Sequence, residues 1–386
     1  MRVLVTDNAH IYKNKKGEYF TPSIYGEYFF NRYLNVFEEV RFLCKTKYIE
    51  NLDTSELIKI NCKNLEIFEI PWYQGSLGLI KNIIKILKKI KYASIGCNCC
   101  IFRVAQIESF LAYQLMEKNI PYALEVVNDP LTFSNKKFVY KVLNIILLNN
   151  IIKKAKGISC VTEKYLQKKY LKNSKNKFLS NYSSIELDEI DIANKKKYPT
   201  MNEYFTIVHT SNLMIGNEKG NITLIKILYE LKKLGVKAKL IFIGDGPSKS
   251  EYMELCMKYN LQEYVNFTGR IKSKTIILNI LKNSDMFIFP SKTEGLPRSI
   301  IEAQASGLPC LASPLGGNLE LINKKYLIKS NVEKYVEIII HLINNPEELE
   351  FMSSENIKNA RKYLKSKLDK KRNEFYNNLK QCSKSK

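Results

Sequence analysis

The stretch "GNITLIKILYELKKLGVKAKLIFIGDGP", residues 220–247, decides the fold class of this chain. Its first part has apolar residues at helical spacing and stops at Gly235, and its second part is an apolar strand that ends in a Gly-Pro turn. Another apolar, β-branched run, "YFTIVHTS" (204–211), precedes it. A strand, a helix and a further strand in this order predict a parallel crossover, and therefore a doubly wound α/β sheet.

The same alternation of strand and helix extends in both directions. Downstream, the expected strands are "VNFTGRI", "DMFIFPS" and "LPCLASP". Upstream, they are "MRVLVTD", "EVRFLCK", "EIFEI", "SIGCNCCIF", "PYALEVV" and "GISCVT". The polar stretch 186–203 has no clear period and is the best candidate for a linker. We therefore predict two Rossmann-like domains, 1–192 and 193–364, whose ligands bind at the carboxyl ends of the strands.

The composition restricts the possible classes of function but does not identify a single one. The 386 residues are 45% hydrophobic and 26% charged, which is typical of a globular protein. The amino terminus lacks a secretion-signal pattern, and no apolar run approaches the roughly 20 residues that span a bilayer, so we expect a cytoplasmic protein. The net charge of +23 favours a polyanionic partner, which can be nucleic acid, anionic lipid or a phosphorylated substrate.

The nine cysteines do not form a metal-binding pattern. They are scattered except for Cys97, Cys99 and Cys100, and no partner histidine stands at metal-site spacing. We interpret these three as small apolar residues of a buried strand. The sequence also lacks an Asp-x-Asp metal motif and has no GxGxxG dinucleotide motif in its first domain, so we expect no metal and no other cofactor.

Two carboxylates stand eight positions apart in "SKTEGLPRSIIEAQASGLP", residues 291–309. Pro297 suits the first turn of a helix, which predicts a helix that starts near Leu296, with Glu294 in the preceding turn and Glu302 further along. The free N–H groups of the first turn form an anion site suited to phosphate. An ionised carboxylate only accepts hydrogen bonds, so Glu294 and Glu302 suit the hydroxyls of vicinal diols.

The second half of the chain resembles a known family. "EGLPRSIIE" with "AQASGLPCLASPLGGNLELI", and upstream "EKG", "LIFIGDGP", "VNFTGRI" and "SDMFIFPS", are similar in order and spacing to the signatures of family 4 glycosyltransferases of GT-B fold. The resemblance implies two Rossmann-like domains that face a cleft. It also implies that a last helix, at about 365–386, crosses back to the first domain.

The resemblance assigns roles to individual residues around a nucleotide-sugar donor. It implies that Glu294 contacts the sugar hydroxyls, that Glu302 contacts the ribose diol and that Lys219 neutralises the diphosphate. The N–H groups near Gly295 and Leu296 share that phosphate charge, and the turn at Gly269 and Arg270 holds the base. Gly244, Arg298 and Glu320 are further expected donor-site residues; for Glu320, a helix-start charge is the alternative. The implied reaction retains the configuration of the anomeric carbon without a protein nucleophile.

One position departs from the family pattern. Many members have an arginine a few residues before the lysine, where this chain has Ser211 and Asn212, which are expected at the donor site in its place. Either Arg298 or Arg103 supplies the second cation, or the leaving group is less stabilised.

The first half is similar to the acceptor domain of bacterial enzymes that assemble capsular and related surface polysaccharides, through segments such as "IFRVAQ", "EVVNDP" and "CVTEKYLQKKY". Arg103, Glu125 and Asp129 stand at predicted carboxyl ends of strands and are candidates for acceptor or catalytic roles. Ion pairing among these residues is the alternative. We interpret His10, in the expected loop after the first strand, as a surface histidine.

A lysine-rich segment, "LGLIKNIIKILKKIK" (77–91), has Leu79, Ile80, Ile83, Ile84, Leu87 and Ile90 on one helical face. It is either a core helix with a solvated lysine side or a helix that docks on anionic lipid.

Together, the resemblance and the paired glutamates predict a retaining glycosyltransferase that uses a nucleotide sugar. The expected donor is a UDP-sugar, and the expected acceptor is a lipid-linked or membrane-associated glycan. Attachment to the inner face of the cytoplasmic membrane is left open.

Two other functions are compatible with parts of the sequence. A non-hydrolysing UDP-sugar epimerase shares the fold, although the paired glutamates favour transfer. A nucleic-acid-binding protein would explain the charge, but no aromatic-basic platform or recognition helix is evident, so no nucleic-acid partner is expected.

Overall fold

The computed structural model describes residues 1–384 except 23, 56, 105, 130–137, 172–176, 199–203, 212 and 330. Contacts divide the chain into two compact units. Among the described residues, the first contains those of 1–129, 138–182 and 369–384, and the second those of 183–368. Residues 183–192 thus group with the second unit, and the domain limits given above stay predictions.

The first unit is built on a mostly parallel sheet. Its strands are β1 (Arg2–Lys13), β2 (Tyr19–Thr21), β3 (Glu39–Tyr48), β4 (Ile58–Ile60), β5 (Leu65–Pro71), β6 (Cys99–Val104), β7 (Tyr122–Val126), β8 (Gly157–Cys160) and β9 (Phe178–Asn181). Parallel pairing follows the order β5-β3-β1-β6-β7-β8-β9. The last residues of β1 also pair with β2, and β2 pairs with β4, both antiparallel.

The helices of this unit are α1 (Glu27–Leu34), α2 (Gly75–Ile90), α3 (Ile107–Leu115), α4 (Phe138–Lys154) and α5 (Tyr165–Tyr170). They are joined by the part of α13 (Lys365–Lys384) that follows Leu368. The core contains Cys99 and Cys100 on β6, and Cys97 is buried just before it. Burial raises the pKa of Cys97 to about 11 and that of Cys99 to about 12, so these thiols stay protonated, as expected of small apolar core residues.

The second unit has a fully parallel sheet among its described residues. Its strands are β10 (Phe205–Thr210), β11 (Ala238–Ile243), β12 (Val265–Phe267), β13 (Met286–Phe289) and β14 (Cys310–Ala312), in the order β12-β11-β10-β13-β14. The helices are α6 (Asn221–Lys233), α7 (Lys249–Lys258), α8 (Lys274–Lys282), α9 (Arg298–Ala305), α10 (Asn318–Leu321), α11 (Val332–Ile343) and α12 (Pro346–Ala360). The predicted α/β class is confirmed.

The stretch 220–247 shows how local sequence sets this architecture. Helix α6 buries Leu224, Ile227, Leu228 and Leu231, which follow helical spacing. The helix stops just before Gly235, whose φ of +74° is easily adopted only without a side chain, and the Val236 N–H donates to the Leu231 carbonyl at 3.0 Å. Strand β11 follows at once and pairs in parallel with β10.

Two local predictions were wrong. Strand β1 does not stop before His10 but continues to Lys13, with a shift of its register to β3 between Thr6 and His10, so His10 lies in a strand and is half-buried. The helix of the glutamate signature starts at Arg298 rather than near Leu296, because Pro297 has an extended ψ of 114° and forms the N-cap. Among the described residues, no helix is long and apolar enough to cross a membrane.

Candidate active site

The loops that follow the strands of the second unit are tied to one another at the carboxyl edge of its sheet. The loop after β10 is joined to the loop after β11 by two main-chain hydrogen bonds, Met214 N–H to Asp245 O at 2.9 Å and Ser248 N–H to Met214 O at 3.1 Å. The loop after β11 is joined to that after β12, because Gly244 N–H donates to Gly269 O at 3.0 Å. This edge is where open parallel sheets bind ligands.

Lys219 and Glu294 meet in an ion pair, although they lie on loops after different strands, β10 and β13. The Lys219 ammonium also donates to the Thr293 carbonyl at 3.2 Å, and the Ser291 hydroxyl donates to the Glu294 carboxylate at 3.0 Å. The Lys219 side chain is 35% exposed and that of Glu294 only 10%. The pair therefore presents a cation toward solvent and holds the carboxylate in a defined orientation.

The main chain fixes the same two loops independently of the ion pair. The Lys292 N–H donates to the Glu218 carbonyl at 2.8 Å, directly before Lys219. The buried Ser291 hydroxyl also contacts the Glu218 carbonyl, at 3.3 Å. Sequence reasoning missed Ser291, and its position directly after a buried strand was the available signal.

A glycine pair after β14 holds the turn that carries Glu294. The Gly317 N–H donates to the Gly295 carbonyl at 2.6 Å. A Cβ atom on Gly316, whose φ is +51°, would lie 2.3 Å from the Glu294 carbonyl oxygen, and one on Gly317 would lie 2.6 Å from the Gly295 oxygen. Only glycine allows the two backbones to approach so closely, so Gly316 and Gly317 position the signature turn.

Helix α9 begins directly after this turn. Its N-cap Pro297 provides no side-chain hydrogen bond to the first-turn N–H groups, and no acidic residue lies in the first turn. Those N–H groups and the positive end of the helix therefore remain suited to an anion. Gly295 and Leu296 lie immediately before them, and Arg298 is the first helical residue.

Glu302 lies on the second turn of α9 and is half-buried. Burial raises the pKa of its carboxyl above the usual range, while the positive charges of Arg298 and Lys274 act in the opposite direction. Within the described part of the chain, no hydrogen-bond donor reaches this carboxylate. The carboxylate is therefore open to a ligand, and two hydroxyl groups of such a ligand would supply donors to it.

The other predicted donor-site residues occupy the same set of loops or the helices after them. Gly269 has a φ of +74° and Arg270 is exposed. Ser211 is buried, with its hydroxyl 3.3 Å from the Leu213 carbonyl. Asn212 lies outside the described residues. Glu320 is in the first turn of α10, the placement expected of a helix-start charge, and its ligand role stays a prediction.

His209 lies beneath the site in strand β10 and is fully buried. Its ring stacks on Phe289, with 5.5 Å between the centroids, and Nδ1 is 2.9 Å from the Ile288 carbonyl. Burial lowers the pKa of His209 to about 4, so the ring is neutral near pH 7. The described residues contain no group of three or more histidine, cysteine, aspartate or glutamate side chains that could hold a metal ion.

The first-unit candidates belong to buried networks. Arg103 lies 2.7 Å from Asp7 and 3.3 Å from Glu125. The Glu125 carboxylate also accepts hydrogen bonds from Tyr33 at 3.1 Å, Tyr182 at 2.9 Å and Tyr376 at 2.6 Å. Burial, reinforced by the charge of Glu125, raises the pKa of all three tyrosines, so they remain protonated donors.

Asp129 is fully buried and has partners of its own. It accepts from Lys169 at 2.6 Å, Tyr165 at 2.7 Å and Tyr170 at 2.5 Å. The structure therefore brings Arg103 and Glu125 together and gives Asp129 a separate cation. These contacts favour the ion-pair interpretation, and an acceptor or catalytic role for the three residues stays a prediction.

Sequence comparisons relate this chain to known proteins. The model of the family "Glycosyl transferases group 1" matches residues 192–362. Protein CapJ of Staphylococcus aureus is 34% identical over 345 residues, which cover 86% of this chain and 84% of CapJ. The UDP-Gal:alpha-D-GlcNAc-diphosphoundecaprenol alpha-1,3-galactosyltransferase of Escherichia coli is 33% identical over 112 residues, 27% of this chain and 28% of that enzyme.

Solved structures are similar over most or all of the chain. HepE of Anabaena, solved with UDP and glucose, has a TM-score of 0.63 at 14% identity and covers 100% of this chain and 99% of its own. TarM of S. aureus, solved as a mutant with fondaparinux, alpha-GlcNAc-glycerol and UDP, has a TM-score of 0.58 at 19% identity. That match covers 75% of this chain but 59% of TarM, which is the longer protein.

Proposed function

Because the chain belongs to the group 1 glycosyl transferases and has the GT-B fold, we propose that it transfers a sugar from a UDP-sugar to a lipid-linked or membrane-associated glycan. The transfer retains the configuration of the anomeric carbon. The predictions of a GT-B fold and of a glycosyltransferase are confirmed by these comparisons. The observation that carries the proposal is the Lys219–Glu294 pair beside the free end of α9, with the donor-less Glu302 carboxylate on the same helix.

The donor fits these groups in one orientation. The ribose hydroxyls donate to Glu302, the diphosphate lies at the first-turn N–H groups of α9 beside Lys219, and the sugar hydroxyls donate to Glu294. When the donor binds, Lys219 exchanges part of its contact with Glu294 for the phosphate, and Glu294 receives hydroxyl donors. Each charge keeps a partner, so neither becomes buried and unpaired.

The reaction then depends on position and charge. The bond between the anomeric carbon and the diphosphate oxygen breaks, and its electron pair goes to that oxygen. The acceptor hydroxyl attacks the same face of the sugar and gives its proton to the departing diphosphate. Lys219 and the α9 amides stabilise the negative charge that grows on the leaving group, which is the form of catalysis that fixed donors provide best.

Relatives support the finer parts of the proposal. HepE and TarM were solved with UDP, which supports a uridine donor. The E. coli relative acts on a sugar linked to diphosphoundecaprenol, which supports a lipid-linked acceptor. The resemblance of the first half to enzymes that assemble surface polysaccharides supports a place in that synthesis. Such an acceptor would bring the enzyme to the inner face of the cytoplasmic membrane.

A two-step experiment tests the proposed function. In a thermal-shift screen of UDP, GDP, ADP and CDP, we expect the largest stabilisation from UDP, because only the folded state binds it. UDP-sugars are then incubated with membrane glycan extracts and, separately, with protein alone. A product only in the presence of the acceptor supports transfer, whereas an isomerised UDP-sugar formed without acceptor would show an epimerase.

Glu302→Gln should weaken UDP binding by about tenfold to a hundredfold, because a charged acceptor of the ribose hydroxyls is lost. The same variant should be at least as stable as the wild type near pH 7. The raised pKa means that folding disfavours the charged form, a penalty that disappears as the pH falls through this carboxyl's titration. Titration calorimetry with UDP and thermal denaturation measure the two effects.

Glu254→Gln, on the exposed side of α7, is the matched control and should change neither property. Unchanged UDP affinity in folded Glu302→Gln protein would contradict the ribose assignment. A large loss of stability would contradict the absence of a donor at this carboxylate.

A further inference from the structure

Helix α2 has an apolar face that is wider than its contact with the core. The helix packs on β5 and α3 and buries Ile86 and Ile90. Three large aliphatic residues nevertheless lie in solvent: Leu77 is 76% exposed, Ile80 66% and Ile84 68%. We call these three residues the apolar stripe. The single apolar face expected from the sequence is therefore only partly a core face.

The positions on the helix explain the exposure. At about 100° per residue, the apolar stripe covers an arc of roughly 60° next to the buried side. The exposed lysines Lys81, Lys85, Lys88 and Lys89 occupy the following arc of roughly 100°. The helix contains no acidic residue, so one solvent-facing surface combines uncovered aliphatic groups with a continuous band of positive charge.

We propose that α2 docks in the plane of an anionic lipid bilayer, with the apolar stripe among the acyl chains and the four lysines at the phosphate headgroups. A clustered apolar surface on a globular protein marks an interaction site. A helix with an apolar arc beside a lysine band has the pattern of helices that lie at the membrane interface. Tyr92, just beyond the helix and 57% exposed, is suited to the headgroup level.

Charge decides between the bilayer and other occupants. If a second copy of the chain covered the stripe, two rows of lysines would meet, and their repulsion would oppose the dimer. A nucleic acid would pair with the lysines but would leave three aliphatic side chains in water. An anionic bilayer satisfies both features at once, because its headgroups are negative and its interior is apolar.

This inference rests on the proposed function in one respect, since a lipid-linked acceptor lies in the same membrane surface. Docking would hold the enzyme near that acceptor and raise its effective concentration. Vesicle binding is measured without nucleotide, sugar or acceptor, so failure of the docking experiment and failure of sugar transfer are separate results.

The first test is co-sedimentation with vesicles of equimolar phosphatidylglycerol and phosphatidylcholine. The wild type should bind these vesicles but not phosphatidylcholine alone. The quadruple variant of Lys81, Lys85, Lys88 and Lys89 to Gln should bind at least about a hundredfold more weakly, since each lysine near an anionic surface contributes about fivefold. The triple variant of the apolar stripe to Ser keeps all lysines and should bind at least about tenfold more weakly.

Matched controls use equally exposed residues of the second unit. Lys226, Lys237, Lys258 and Lys324 replaced by Gln remove the same charge, and Ile190, Leu234 and Phe351 replaced by Ser remove as much exposed apolar surface. The vesicle affinity of both control variants should stay within about threefold of the wild-type value. If the control lysine variant loses as much affinity as the α2 variant, binding depends on net charge alone and the proposal is wrong.

A direct probe of insertion completes the test. The chain has one tryptophan, Trp72, so Ile84→Trp on a Trp72→Phe background places a single fluorophore on the stripe. Brominated acyl chains should quench it in anionic vesicles, and unquenched fluorescence in vesicle-bound protein would overturn the insertion. Light scattering of wild type and stripe variant addresses the dimer: a wild-type dimer that the Ser variant converts to monomer would also overturn the proposal.

Discussion

Replacing Lys219 by alanine should lower the turnover number of sugar transfer by about a hundredfold to a thousandfold, the usual effect of removing one fixed group that stabilises a growing charge. Lys219 contacts Glu294 and the Thr293 carbonyl, 3.2 Å from its ammonium, and these contacts would hold it in place for the proposed role. Steady-state rates with a UDP-sugar measure the loss. UDP affinity should fall much less, because in the proposed arrangement the α9 amides would still contact the diphosphate.

Two further variants make this prediction specific. Lys226→Ala removes an exposed lysine of α6, a few residues further along, and should leave turnover unchanged. Glu294→Gln should lower turnover while UDP binding stays near the wild-type value, because the sugar and not the nucleotide loses its partner. Since the two side chains touch, the double variant should be less impaired than the product of the single effects. Wild-type turnover in Lys219→Ala protein would refute the role in leaving-group stabilisation.

Gly316→Ala should reduce UDP affinity by at least about a hundredfold without touching any group that binds the nucleotide. The added Cβ would lie 2.3 Å from the Glu294 carbonyl oxygen, a distance that neither backbone tolerates. One of the two backbones must therefore move, and because the Gly317 N–H also donates to the Gly295 carbonyl, we expect the turn from Glu294 to Leu296 to be displaced together with the N-terminus of α9. Losing two hydrogen bonds to the charged diphosphate, at about 1.5 to 3 kcal/mol each, would cost about two orders of magnitude in affinity or more. Titration calorimetry with UDP is the measurement.

Gly235→Ala separates this effect from backbone strain. Gly235 also has a positive φ, +74°, but an added Cβ would meet nothing within 4 Å. Both substitutions carry the roughly 1 kcal/mol cost of a left-handed non-glycine residue, so both should lower the melting temperature. Only Gly316→Ala should lose UDP binding. Equal UDP affinities in the two variants would show that the close approach of the loops does not position the site.

Local sequence was sufficient where one segment determines one element. The stretch 220–247 encodes α6, its glycine stop and β11, and the spacing of Glu294 and Glu302 indicated a helix between them. Local sequence did not predict contacts between distant segments. The pairing of Lys219 with Glu294 joins positions 75 residues apart, and nothing in either segment alone requires it.

The solvent exposure of individual side chains was the second property that the sequence did not predict. The periodicity of α2 groups its apolar residues correctly, but it contains no information about how much of that face the sheet covers. The sequence therefore left open whether Ile80 and Ile84 pack in the core or face a membrane, and only their exposure in the structure separates the two. Glu125 looked available for chemistry for the same reason, since two of its three tyrosine partners lie 92 and 251 residues away.

The cluster around Glu125 has a consequence for the order in which this protein is made. Tyr33, Tyr182 and Tyr376 reach one carboxylate, and Tyr376 follows the whole of the second unit in the chain. On the ribosome, the second unit is therefore synthesised completely before Tyr376 is available to donate to Glu125. During that time the first unit also lacks Phe375 and Leu379, which are buried in the finished protein. The first unit is thus the first to be synthesised in part and the last to receive all its residues, so its packing can be completed only after the second unit has been made.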